Sequence, residues 1–89
     1  MNIFVARLDY DTEGRDLREA FSEFGPVNSA KVIMDRYTGN SRGFGFVEME
    51  YEEDGREAIN ELNDTELDGR NIVVKKAKPR KPRTSSMEW

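Results

Sequence analysis

The stretch Arg42-Gly43-Phe44-Gly45-Phe46-Val47-Glu48-Met49 alternates with the period of a β-strand. Successive side chains of a strand point to opposite faces, so Arg42, Phe44, Phe46 and Glu48 share one side, and Gly45, Val47 and Met49 share the other. The second side reads as a core and the first as an aromatic platform. A water-facing surface has little reason to carry two bare phenylalanine rings unless something flat stacks on them. Nucleobases are the commonest flat ligands.

The length and composition close many other routes. At 89 residues the chain is enough for one small domain with one core and too short for two. It has no Cys and no His, which removes disulfides, thiolate nucleophiles and the usual metal and acid-base residues, so an enzyme is not expected. No apolar run reaches membrane-spanning length, and Met1-Asn2-Ile3-Phe4-Val5 lacks the charged start and long apolar run of a signal peptide. The expectation is a soluble, cytoplasmic protein.

Around the central strand the chain divides into alternating elements. Ile3 to Leu8 is rich in β-formers and reads as a strand ended by Asp9-Tyr10-Asp11-Thr12. Thr12 is placed to cap a helix in which Leu17, Ala20, Phe21 and Phe24 recur on one face, stopped by Gly25-Pro26. Gly14 in its first turn lowers helix propensity. Val27 to Met34 reads as a second strand, followed by the polar loop Asp35 to Ser41 with Tyr37 exposed in it. A second helix spans about Glu52 to Leu62, with Gly55, Ala58, Ile59 and Leu62 on one face and acids on the other. Asn63-Asp64 ends it, Asp68-Gly69 makes a tight turn with Leu67 as a core anchor before it, and Arg70 to Ala77 alternates as a fourth strand, with Ile72 and Val74 inward and Val73, Lys75 and Ala77 outward. The order β-α-β-β-α-β is that of the α+β ferredoxin-like sandwich, a four-stranded antiparallel sheet with both helices on one face.

The octapeptide resembles that of the RNA recognition motif, Lys/Arg-Gly-Phe/Tyr-Gly/Ala-Phe-Val-x-Phe/Tyr, and matches six of its seven specified positions. Met49 is the departure, and it lies on the core side. The first strand resembles the family's hexapeptide, with Phe4 at the aromatic position and Ile3 and Val5 facing the core. The fifth position, commonly Asn or Gly in the family, is Arg7, which either adds a phosphate contact or caps the strand end. Alignment to the family puts Lys31 and Ile33 on the platform side, where Lys31 is either a phosphate contact or an exposed lysine protecting a sheet edge. The resemblance implies single-stranded RNA recognition, with single-stranded DNA as a related ligand, and neither cofactor nor metal. Phe4 and Phe46 would each stack a base, Phe44 would pack against sugars, and Arg42, Lys31 and Lys75 would meet phosphates. Asn2, Glu48, Lys75 and backbone groups around Ala77 would touch base edges. Glu48 can only accept hydrogen bonds, and either shapes base preference or pairs with Lys31 or Lys75.

The net charge of −4 is opposite in sign to that expected of a nucleic-acid binder, but it is unevenly distributed. Residues 1 to 74 carry 8 Lys/Arg against 17 Asp/Glu, while residues 75 to 89 carry 6 against 1. The expected domain is 1–77 and the basic, proline-interrupted tail is 78–89, extended and suited to tracking a phosphate backbone. Trp89 either folds back onto the platform or has no role. Short chains with one such motif look like small bacterial and cyanobacterial RNA-binding proteins, and a monomer is expected. The acidic helices motivate a second reading, in which the same fold contacts a protein. A third, an acylphosphatase-like enzyme on this fold, needs a cationic loop where Asp9-Tyr10-Asp11-Thr12-Glu13 is acidic.

Overall fold

The Ser41–Met49 strand is the spine of the sheet: it pairs on one side with Asn2–Ala6 and on the other with Val27–Met34. In a computed structural model, which describes residues 1–77, the elements run β1 (Asn2–Ala6), α1 (Gly14–Ser22), β2 (Val27–Met34), β3 (Ser41–Met49), α2 (Glu52–Leu62), β4 (Glu66–Leu67), β5 (Arg70–Asn71) and β6 (Val73–Lys76). The main sheet has the order β2-β3-β1-β6 with every neighbour antiparallel, and both helices pack against it. Strands β3 and β1 are therefore central, while β2 and β6 form the edges. This is the ferredoxin-like sandwich that the element order implies.

One face of the sheet is closed by the helices because alternation delivers the right residues to it. Ile3 and Val5 of β1, Val47 and Met49 of β3 and Val74 of β6 are buried with Leu17 and Phe21 of α1 and Ala58 of α2. Met49 is buried as expected, so its departure from the octapeptide pattern changes packing and leaves the open face alone. Gly45 allows a close approach of backbone to backbone: a Cβ there would collide with the Lys31 carbonyl oxygen and lie 3.2 Å from Leu17 Cδ1. Gly14 has a similar role. A Cβ there would sit 2.8 Å from the Ala30 carbonyl oxygen, so this glycine lets α1 meet β2 and is more than a weak helix former.

Three local expectations are corrected. Strand β1 stops at Ala6 instead of Leu8, because Arg7 takes a left-handed conformation (φ 62°) that turns the chain out of the sheet. Its successor Leu8 still packs in the core, with its N–H donating to the Gly43 carbonyl at 2.9 Å. The helix cap is Glu13, whose backbone N–H donates to the Asp16 carboxylate at 2.8 Å, and not Thr12. Thr12 is instead 2% exposed and donates its hydroxyl to the Asp68 carboxylate at 2.7 Å, tying the loop after β1 to the turn before β5.

The expected strand from Arg70 to Ala77 is two pieces. Arg70 and Asn71 fold back on Leu67 and Glu66 as a separate hairpin across Asp68-Gly69, both with positive φ as such a tight turn requires. Ile72 N–H donates to Thr65 O at 2.9 Å and its carbonyl accepts from Asp64 N–H at 2.8 Å, so this residue is held by the segment after α2. Only from Val73 does the chain join β1. The inward assignment of Ile72 and Val74 nevertheless holds, since both are buried.

Candidate nucleic-acid interface

On the open face, cross-strand pairing converts spacing along the chain into rows across the sheet. Lys31 pairs with Phe46, Phe46 with Phe4, and Phe4 with Lys75, giving one row of cation, ring, ring, cation across all four strands. The ring centroids of Phe4 and Phe46 are 5.5 Å apart, and Phe44 joins them at 5.8 Å from Phe4 and 6.2 Å from Phe46. The three rings hold one another in tilted and edge-on contacts, which fixes their orientation before any ligand arrives. Phe46 is the most open, at 39% exposed. Lys75 Nζ lies 5.9 Å from the Phe4 centroid, within cation–π range.

A second row lies beside the first. Glu48 faces Asn2 on β1 and Ser29 on β2, and Ala77 donates its N–H to the Asn2 carbonyl at 2.8 Å. That bond leaves Ala77 only its carbonyl to offer a base edge. Phe4, Phe44, Phe46, Lys31, Lys75, Asn2 and Ala77 thus gather on or beside one face, with Arg42 exposed at the end of β3. Glu48 pairs with neither Lys31 nor Lys75; it takes part in no ion pair among the described residues.

Charge divides between the faces. Lys75 and Lys76 are neighbours in sequence, yet Lys75 leans over Phe4 while Lys76 reaches Glu52 of α2 at 3.6 Å. Glu52 also accepts from Arg56 at 2.9 Å, and this hydrogen bond and charge, aided by Lys76, hold its carboxyl below the usual glutamate value. The cations of the open face, Lys31, Arg42 and Lys75, enter no ion pair among the described residues.

The loop between β2 and β3 is built on Asp35. Its carboxylate accepts from the N–H groups of Tyr37 at 2.7 Å and Thr38 at 3.3 Å, and its backbone N–H donates to the Asn40 carbonyl at 2.7 Å. Those two N–H groups, with Arg42 adding its charge, lower the Asp35 pKa. Tyr37 is displayed at the tip, 91% exposed. Two residues of the surroundings escaped the sequence reading. Ser29 had a signal, being two residues before Lys31 on the same strand face. Tyr10 had none: it sits in a loop, yet its ring edge comes within 3.9 Å of where a Cβ on Gly43 would be, a contact made only by folding.

An antiparallel sheet covered by two helices on one side and bearing an aromatic row on the other defines the class. The model of the RNA recognition motif family matches residues 3–73, and the chain belongs to that family. It is 49% identical over 77 residues to a glycine-rich RNA-binding protein of Daucus carota, covering 86% of this chain and 49% of the relative. The chain thus spans about half the length of that relative. It is 44% identical over 84 residues to the putative RNA-binding protein RbpA of Synechocystis, covering 94% of this chain and 83% of the relative. Among solved structures, RNA binding protein PG1 is similar at TM-score 0.88 and 52% identity, covering 92% of this chain and 99% of that one. The Sex-lethal protein in complex with RNA is similar at TM-score 0.82 and 32% identity, covering 90% and 48%.

Proposed function

We propose that the protein is a single-stranded RNA-binding module. The observation that carries this reading is the row Lys31, Phe46, Phe4, Lys75, which offers two fixed rings for bases and a cation at each side for the backbone. Similar proteins named for RNA binding, and the Sex-lethal complex with RNA, support the same ligand. Phe4 and Phe46 each stack one base, Phe44 packs against sugars, and Arg42, Lys31 and Lys75 meet phosphates. Asn2 and the Ala77 carbonyl address base edges. Single-stranded DNA offers the same stacking surfaces and is bound by the same rows. The protein-contact reading draws on the acidic helices and the net charge, whereas cations that enter no ion pair among the described residues flank the rings on the open face.

The module occupies residues 1–77 and works as a monomeric binder, with no catalytic step. Residues 78–89 lie outside the described ones, and so does Trp89, whose two readings, a fold-back onto the platform or no role, fall there. On sequence, Lys78, Arg80, Lys81 and Arg83 add a backbone-tracking charge. No helix among the described residues is long and apolar enough to cross a membrane, and a cytoplasmic site of action is part of the proposal.

The test is a fluorescence titration with short oligoribonucleotides. Stacking is worth roughly 1 to 3 kcal/mol per base by alanine substitution, so Phe44→Ala with Phe46→Ala should weaken binding by about tenfold or more while the thermal melt stays cooperative. A folded double variant that binds like wild type would sink the proposal.

A further inference from the structure

The polar row beside the rings supplies a chemistry that stacking and phosphate contacts leave unused. Asn2, Ser29, Glu48 and Ala77, with Lys31 and Phe46, are among the residues that border a solvent-open groove of ≈ 440 Å³. Glu48 is exposed and lies between Asn2 and Ser29 across the sheet. A carboxylate accepts hydrogen bonds and donates none. On a face that receives a polyanion it repels any ligand that brings it no N–H groups.

The four RNA bases differ sharply in what they can bring. Guanine places two N–H donors side by side, at N1 and the exocyclic N2, and a carboxylate can accept both at once. Adenine and cytosine each pair one amino donor with a ring-nitrogen acceptor, which would face the second carboxylate oxygen lone pair to lone pair. Uracil has a single N–H between two carbonyls. The Asn2 amide carries donors for the guanine O6, and the Ser29 hydroxyl can donate or accept on the other flank.

Resting on the RNA-binding reading, we infer that Glu48, supported by Asn2 and Ser29, is the specificity-determining residue of a guanine subsite next to Phe46. A bidentate contact to a base edge discriminates by roughly 1 to 3 kcal/mol, which is about 5- to 150-fold in affinity.

The experiment measures fluorescence anisotropy of the full chain with labelled uridine hexamers in which one central residue is U, G, inosine, A or C. Inosine keeps the N1–H and O6 of guanine and lacks the N2 amino group, so it removes one of the two donors. Wild type should bind the G hexamer at least about fivefold more tightly than the U, A and C hexamers, with inosine between. Glu48→Gln, which replaces one carboxylate oxygen by an amide donor, should bring G to within about twofold of inosine. Glu48→Ala should abolish the G preference and tighten binding of the all-uridine hexamer, because a repelling charge is gone. Glu48 is exposed, so neither change touches the core. A wild type that binds G no better than U, or a Glu48→Gln variant that keeps the wild-type ratio of G to inosine, overturns the guanine subsite and leaves RNA binding standing. Failure to bind any hexamer overturns the RNA reading and the subsite with it.

Discussion

The two faces of β3 carry phenylalanine and glycine under opposite rules. On the helix side, Gly45 is fixed by lack of space, with Lys31 O and Leu17 closing on it, and Val47 and Met49 are fully buried. On the other side Phe44 and Phe46 meet edge-on, and each is tilted against Phe4. Phe21, buried under the sheet, is enclosed by the protein, whereas Phe46 is left open on the other face. The contrast teaches that residue type alone does not separate a core ring from an open one. Its side of the strand does, and the buried side sets the register that positions the open one.

The largest expected effect separates these two kinds of ring. Phe21→Ala should cost about 3 to 5 kcal/mol of stability, since it empties a fully buried site, and should leave the affinity of the folded fraction unchanged. Chemical denaturation alongside titration would show it, and an equal loss of affinity would break the division between the faces.

A smaller effect comes from the turn that ends β1. Arg7 holds φ 62°, a conformation that costs a non-glycine residue on the order of 1 kcal/mol. Arg7→Gly should therefore raise stability by up to about 1 kcal/mol, or a few degrees in Tm for a domain of this size. If the arginine serves a phosphate, RNA affinity falls at the same time. A more stable variant with undiminished affinity would assign Arg7 to chain geometry alone.

Salt dependence sharpens the electrostatic side of the comparison. Each phosphate neutralised on a single strand contributes a slope of about −0.7 in log K against log salt. Removing residues 78–89 should flatten that slope and leave base preference as it was; an unchanged slope would confine the phosphate contacts to Lys31, Arg42 and Lys75.

The smallest effect concerns the loop between β2 and β3. Asp35 has a lowered pKa, so its carboxylate form is favoured by the fold and its contribution is present above the ordinary aspartate value of 3.8 and lost as pH falls through the lowered one. Amide signals of Tyr37 and Thr38 should stay constant from neutral pH to about pH 5 and move only in stronger acid. A transition near pH 6 would show that another group builds the loop.

Much of the fold was legible because alternation is local. Ile3, Val5, Val47, Met49 and Val74 could be assigned inward and Phe4, Phe44 and Phe46 outward from period and motif alone, and all are so placed. Thr12 misled because capping chemistry and a long-range hydrogen bond call for the same hydroxyl; its partner Asp68 is 56 residues away. The break at Ile72 was hidden for a related reason, since Arg70 to Lys76 keeps an alternating pattern while its hydrogen bonds go to two different partners.

By itself the sequence determined the alternation that sorts residues onto two faces, the order of the elements and the lack of Cys and His. Those are properties of neighbours along the chain, where side-chain direction is set by backbone geometry. Only the tertiary structure decided that Lys31, Phe46, Phe4 and Lys75 make one row, that Glu48 falls between Asn2 and Ser29, and that Arg7 and Ile72 mark the ends of strands. Register between strands far apart in sequence is chosen by the buried face as a whole, and a shift of one residue in any of them would exchange the two faces.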